Sequence, residues 1–461
     1  MKLFTLDIKQ SKSNPIYMQL YNYIKLEMEL GHISPYEKLP SRRALASHLN
    51  ISKNTIDTAY QMLLSEGYIM SLPKSGYYAS SKLPSKDEED APMYSEYKHN
   101  FSIHNLDTSH APYKKWNRAA KQIQFDDVNL FKLSERLGNF ELRKAITKFI
   151  KETQNITCSP KNIIIGAGDE YLLIYLNKML ELIHNGNNIY GFENPCYLNS
   201  YILLKSNKDN IRFIDTSLDG LDINKLNESD INTFYSMPSH HIPTGYIMNQ
   251  QQKQQLLDWA YSAEDKYIIE DSYDSFYQYS EKKHKSLFSL DTKDRVIYMC
   301  SFARILSPSI RISFVILPDS LLTIWNNMHN FYRCLASRFD QAIILEFMAR
   351  GYLHEQVNFT RNIYIHKRDF LINRLKSSSI GHNIDIINPN AGTHFLIKYK
   401  SNLSEKELTA KAKDFGIKIQ GLSVYYVGNN TKNENLLVAG FGGLNELEII
   451  DAVRLLERAW Q

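Results

Sequence analysis

A chain of 461 residues with 43% apolar and 23% charged residues is long enough for two or three packed domains and has the make-up of a globular protein. Its formal net charge of +4 is too small to imply a nucleic-acid partner by itself, so any basic contact surface must be local. The four cysteines, Cys158, Cys196, Cys300 and Cys334, lack CxxC or metal-ligand spacing and read as buried thiols of a reducing compartment; no apolar run could span a bilayer, so a cytoplasmic protein without membrane contact is expected.

In chain order, Asn14-Pro15 opens a helix carrying Ile16, Leu20, Tyr23 and Ile24 at helical spacing. Ser41 caps a short helix through Leu45, Ala46 and Leu49, and Asn50 supplies a turn. Ser52 caps the next helix, whose apolar stripe is Ile56, Ala59, Tyr60, Leu63 and Leu64. Tyr68–Leu72 and Tyr77–Ser80 can pair as a hairpin with Pro73-Lys74-Ser75-Gly76 at its tip. This is the element order of a winged helix-turn-helix domain over residues 1–80, with a recognition helix beginning Ser52-Lys53-Asn54-Thr55. Residues 1–80 hold nine Lys/Arg against six Asp/Glu, and Arg42, Arg43, Lys53 and Lys74 all fall on groove-facing elements.

Residues 81–100 carry Pro84, Pro92 and the acidic run Asp87-Glu88-Glu89-Asp90, which predicts a flexible, solvated linker. From 101 to 461, strand and helix patterns alternate, the mark of an α/β domain with a mostly parallel sheet. Strands are expected at Asn162–Ile165, Asn188–Gly191, Ile211–Asp215, Thr233–Ser236 and Tyr267–Glu270, with a helix from Asp169. Two further apolar runs, Val296–Cys300 and Ile312–Leu317, flank a polar loop with Ser301, Arg304, Ser307, Pro308 and Arg311. The stretch from Ile384 to Gly443 reads as a smaller C-terminal subdomain.

The segments PIYMQLYNYI, KLPSRRALASHLNISKNTIDTAYQMLLSEGYI and SGYYAS resemble the DNA-binding domain of GntR-type regulators. The resemblance implies double-stranded operator DNA as partner, with Arg43, the recognition-helix start and the hairpin-tip Gly76 in contact with it. The full candidate set is Arg42, Arg43, Ser52, Lys53, Asn54, Thr55, Lys74 and Gly76. Tyr36 stands where the family usually has glycine, and a small local change is expected.

In the large domain Leu137–Arg143, Glu193–Tyr197, Met237–Gly245, Glu270–Ser275 and Val296–Pro318 fall in the order known for fold-type I aminotransferases. A winged helix fused to such a domain resembles the MocR-type branch of the GntR regulators. The resemblance implies that Asp271 partners a pyridinium nitrogen, Tyr273 sits near the cofactor oxygen, Tyr197 stacks on the ring, and Ser301 and Arg311 take the phosphate of pyridoxal phosphate. His240 belongs to the same candidate site.

Against that pattern, Arg304 occupies the position of the Schiff-base lysine. A guanidinium stays protonated to a pKa above ~12 and cannot attack an aldehyde. Gly166-Ala167-Gly168 replaces the serine-glycine phosphate loop and is followed by Asp169-Glu170, carboxylates that repel a phosphate. Tyr171 is bulky where alanine is common, and Leu436–Gly443 lacks the arginine that clamps a substrate carboxylate. No covalently bound cofactor is therefore expected; non-covalent pyridoxal phosphate is left open, and Arg304 should pair with Asp271 or with Asp169 and Glu170. The expected function is that of a transcriptional regulator, a head-to-tail homodimer responding to an unknown small-molecule effector. The alternatives are a working aminotransferase with an accessory DNA-binding domain, and a constitutive DNA-binding dimer without a ligand.

Overall fold

The computed structural model describes residues 15–461 apart from 30–31, 35, 66–67, 73–74, 81–96, 124–127, 206–209, 219, 280–283, 329–332 and 429–434. The chain divides into two compact units, Met1–Tyr94 and Ser95–Gln461.

The N-terminal unit is built from α1 (Ile16–Glu29), α2 (Arg42–Leu49), α3 (Lys53–Ser65) and a hairpin of β1 (Ile69–Leu72) and β2 (Gly76–Ala79). Apolar side chains at helical spacing explain the packing: Leu20 and Ile24 of α1, Leu45 of α2, and Ile56, Tyr60 and Leu63 of α3 are buried in one cluster. Ser41 caps α2 by accepting from the Ala44 N–H at 3.2 Å, and Asn50 ends it in the left-handed conformation, φ 51°. Tyr60 donates its hydroxyl to the Pro40 carbonyl at 2.9 Å, which ties α3 to the turn before α2. The expected glycine position also finds its reason here. Tyr36 has φ 62°, a conformation that costs an L residue about 1–2 kcal/mol, and its side chain is exposed.

The large unit begins earlier than the sequence suggested. β3 (His99–Asn100) pairs in parallel with β14 (Ile417–Lys418), so the end of the expected 81–100 linker is part of this unit. Residues 81–96 lie outside the described ones.

The central sheet has eight strands: β4 (Ile163–Gly166), β5 (Tyr190–Asn194), β6 (Ile211–Ser217), β7 (Gly220–Leu221), β8 (Thr233–Ser236), β9 (Tyr267–Asp271), β10 (Val296–Ser301) and β11 (Ser313–Ile316), in the order β4-β11-β10-β9-β8-β5-β6-β7. The run from β10 through β9, β8 and β5 to β6 is parallel, whereas β11 runs antiparallel to both of its neighbours. Near-continuous apolar residues in these strands fit a sheet covered on both faces, and three apolar clusters lie against it. The expected segment Asn188–Gly191 is shifted by two to three residues, to Tyr190–Asn194, and Ile312–Leu317 is shortened by one residue at each end, to Ser313–Ile316.

A smaller antiparallel sheet, β12 (Ile384–Ile387), β13 (His394–Tyr399), β16 (Leu436–Gly440) and β15 (Gln420–Gly421) in that order, forms the C-terminal subdomain. Parallel strands end together, so the loops after β5, β8, β9 and β10 gather at one edge of the central sheet, where α/β folds place their ligands.

Candidate functional site

On the N-terminal unit, Ser52 is exposed and accepts from the Thr55 N–H at 3.1 Å, so the start of α3 is capped by the residue expected to face the groove. Its hydroxyl lies 2.8 Å from that of Thr55. Arg43, Lys53 and Asn54 are exposed, and their side chains have no partner among the described residues. Arg42 is different: it pairs with Asp57 of α3, and its guanidinium sits 5.8 Å from the Tyr77 ring centroid. That side chain braces α2 against α3 and the hairpin, an internal role that the sequence did not suggest. Gly76 has φ 110°, a conformation open to glycine at the hairpin tip, while Lys74 lies outside the described residues.

In the large unit, a cavity of ≈ 260 Å³ opens at the carboxyl edge of the sheet. It is lined by six of the seven expected site residues: Tyr197, Asp271, Tyr273, Ser301, Arg304 and Arg311. His240 is not among them. It is buried behind Tyr273, with Nδ1 2.9 Å from the Tyr273 hydroxyl and 2.8 Å from Asp274 Oδ2.

Strand register explains the grouping. Asp271 ends β9 opposite Met299 of β10, and Ser301 ends β10 opposite Ser313 of β11, which in turn faces Gly166 at the end of β4. Gly168 and the helix Asp169–Ile183 follow directly, so the carboxylates of Asp169 and Glu170 arrive beside Ser301 and Arg311. Ser313 donates to Ser301 at 2.9 Å and reaches Asp169 Oδ1 at 3.5 Å.

Burial first, and then the charges of Asp169 and Asp274, push the Asp271 carboxyl up to about 7, although the Tyr235 hydroxyl donates to it and Arg304 lies near. Tyr235 had no distinguishing signal in the sequence, being one aromatic residue among others in a buried strand. Asp169 is also raised, by burial and then by Glu170, against the pull of Arg311.

The expected pairing of Arg304 is replaced by another. Arg311 is the guanidinium that meets Glu170, with Asp169 at 3.7 Å. Arg304 donates from Nη1 to the Ile103 carbonyl at 3.2 Å and to the Thr393 hydroxyl at 3.5 Å, and stands 5.2 Å from the Tyr273 ring centroid. It makes no ion pair among the described residues. Tyr171 points away from the cavity and donates to the Arg333 carbonyl at 2.5 Å.

These residues do not fit pyridoxal phosphate held as an aldimine. No lysine lines the cavity among the described residues, and the arginine that would receive the phosphate already faces two carboxylates. The buried Asp271 carboxyl is the feature that does fit a pyridine nitrogen.

A winged helix-turn-helix unit and a fold-type I aminotransferase unit on one chain define a DNA-binding transcriptional regulator built on an enzyme fold. The family models agree: Bacterial regulatory proteins, gntR family, matches residues 16–78, and Aminotransferase class I and II matches 96–434. The chain belongs to the MocR-type branch of the GntR regulators. It is 34% identical to the uncharacterized HTH-type transcriptional regulator YdeL of Bacillus subtilis (strain 168), over 99% of this chain and 98% of that protein. It is 24% identical to a Rhizobium meliloti relative named as the probable rhizopine catabolism regulatory protein MocR, over 97% and 94%. The kynurenine aminotransferase of Pyrococcus horikoshii superposes with a TM-score of 0.70 at 19% identity, over 80% of this chain and 92% of that one, a likeness of fold. Among the described residues no helix is long and apolar enough to cross a membrane.

Proposed function

We propose that this regulator binds operator DNA as a homodimer and that a small-molecule effector enters the large-unit cavity without a covalent bond to the protein. The observation that carries the reading is Arg304, a permanently protonated guanidinium at the lysine position, lining a cavity without a lysine among the described residues. Transamination needs an amine that both forms the Schiff base and carries a proton, so the large unit acts as a sensor and not as an enzyme. The aminotransferase-like fold supports a head-to-tail dimer, in which two winged helices read repeated half-sites. Effector binding that favours one arrangement of the dimer changes DNA affinity by the difference in its affinity for the two arrangements.

Visible absorption of the purified protein titrated with pyridoxal phosphate, beside Arg304→Lys, tests this. No aldimine band in the wild type is the expected result. A protein-specific band in the wild type would mean that another lysine supplies the amine and would overturn the reading.

A further inference from the structure

We infer that the cavity recognises a small, flat, ring-bearing monocarboxylate lacking a phosphate, with Arg304 as the anchor of its carboxylate. This inference rests on the reading that the cavity is the effector site, and it adds the chemical class of the ligand.

Two arginines line the cavity and they are not equivalent. Arg311 is paired with Glu170 and has Asp169 at 3.7 Å, so its charge is spent within the protein. Arg304 touches only neutral acceptors, both from Nη1, the Ile103 carbonyl and the Thr393 hydroxyl. Its Nε and Nη2 groups have no hydrogen-bond partner among the described residues. A guanidinium has five donors in a planar fork that matches a carboxylate with two parallel hydrogen bonds. The Tyr273 ring lies 5.2 Å from Cζ, within cation–π range, and adds a neutral contact to the same guanidinium.

The other charges in the cavity restrict what the anion can be. Asp169, Glu170 and Asp271 all line it. A phosphate dianion reaching Arg311 would have to displace Glu170 and lie beside Asp169, while a carboxylate on Arg304 carries one charge and leaves that pair intact. Size and shape restrict the remainder. At ≈ 260 Å³ the cavity falls just below the range of about 300–1,000 Å³ common for drug-sized ligands, which suits one ring with few substituents. Tyr197 offers a flat face in the same lining, and the Asp271 carboxyl offers a hydrogen-bond partner for a ring nitrogen.

The test is calorimetric titration of the full-length protein with pyridine-3-carboxylate, benzoate, inorganic phosphate and pyridoxal 5′-phosphate, followed by operator binding with and without each. Expected is saturable binding of the two ring carboxylates, with the pyridine compound ahead, and at least ten-fold weaker binding in both Arg304→Gln and Arg304→Lys. The lysine variant keeps the charge and loses the planar fork, and a wild-type-like thermal unfolding transition of the large unit in each variant checks that it has folded. Tighter binding of inorganic phosphate or pyridoxal 5′-phosphate than of either carboxylate would overturn the assignment. So would carboxylate binding unchanged in both variants, or an absence of carboxylate binding in a protein that folds and binds operator. Arg304-dependent carboxylate binding without any change in operator affinity would support the ligand class and refute the sensor reading on which it rests.

Discussion

Arg311, just before β11, is paired with Glu170 from the start of the helix Asp169–Ile183, so the end of the cavity nearest that helix is lined by an ion pair within the protein. The pair is half-exposed on both sides, and exposed pairs contribute only about 0–1 kcal/mol to stability. Its effect on the cavity is larger than its effect on the fold, because it removes both the free cation and the bare helix N-terminus that an incoming phosphate would use.

Replacing both carboxylates, Asp169→Asn with Glu170→Gln, is expected to leave urea stability within about 1 kcal/mol of the wild type. The double variant frees Arg311 and should bind inorganic phosphate at least several-fold more tightly, measured by calorimetry. Unchanged phosphate affinity would mean that the carboxylates are not what excludes it.

Gly168 supports the same pair through its backbone. Its φ is 101°, and a Cβ built on it would fall 2.6 Å from Arg311 Nη2. Gly168→Ala should therefore cost about 1–3 kcal/mol in denaturant unfolding, from the strained φ and the displaced guanidinium together. A variant as stable as the wild type would show that this loop readily shifts.

The buried Asp271 makes stability depend on pH with a sign that can be worked out. Its folded pKa of about 7 lies above the unfolded value, so between the two the folded state binds more protons than the unfolded state. Its contribution is most favourable below about pH 4, declines as the pH rises toward 7, and stays at its least favourable above. Asp271→Asn keeps an acceptor for Tyr235 and cannot ionise, so at pH 8 it should be more stable than the wild type. At about 1.4 kcal/mol per pKa unit, a gain on the order of 1–3 kcal/mol is expected. His241 and His394, both depressed by burial, contribute in the opposite sense, gaining stability as the pH rises to their unfolded values. The difference between variant and wild type across pH 4–8 isolates the aspartate. A variant that is less stable at every pH would refute the assignment.

The two arginines at the start of α2 should separate in a binding assay. Arg43→Ala is expected to weaken operator affinity several-fold and to lower the salt dependence by about one counterion, with stability unchanged. Arg42→Ala loses the Asp57 contact and the packing on Tyr77, so it should also destabilise the N-terminal unit, by up to about 1 kcal/mol. Identical behaviour of the two variants in both assays would contradict the internal role of Arg42.

The sequence by itself determined the kind of protein and the outline of its elements. Helix caps, apolar stripes and buried strand runs are local features: Ser41, the Ile56–Leu63 stripe and Val296–Cys300 act on their own neighbours, so their pattern is readable without a structure. Six of the seven expected site residues line the cavity for a related reason, since ordered motifs at strand ends meet wherever parallel strands end together. What only the tertiary structure decided is which charges meet. Glu170 and Arg311 are 141 residues apart, and Arg304 draws its acceptors from Ile103 and Thr393, which no spacing rule connects to it. His240 had the right neighbours in sequence and still ended behind Tyr273, and Tyr235 reached Asp271 without any sign in the chain. Electrostatic pairing depends on distances of a few ångströms and on burial, and both are set by packing between segments remote in sequence.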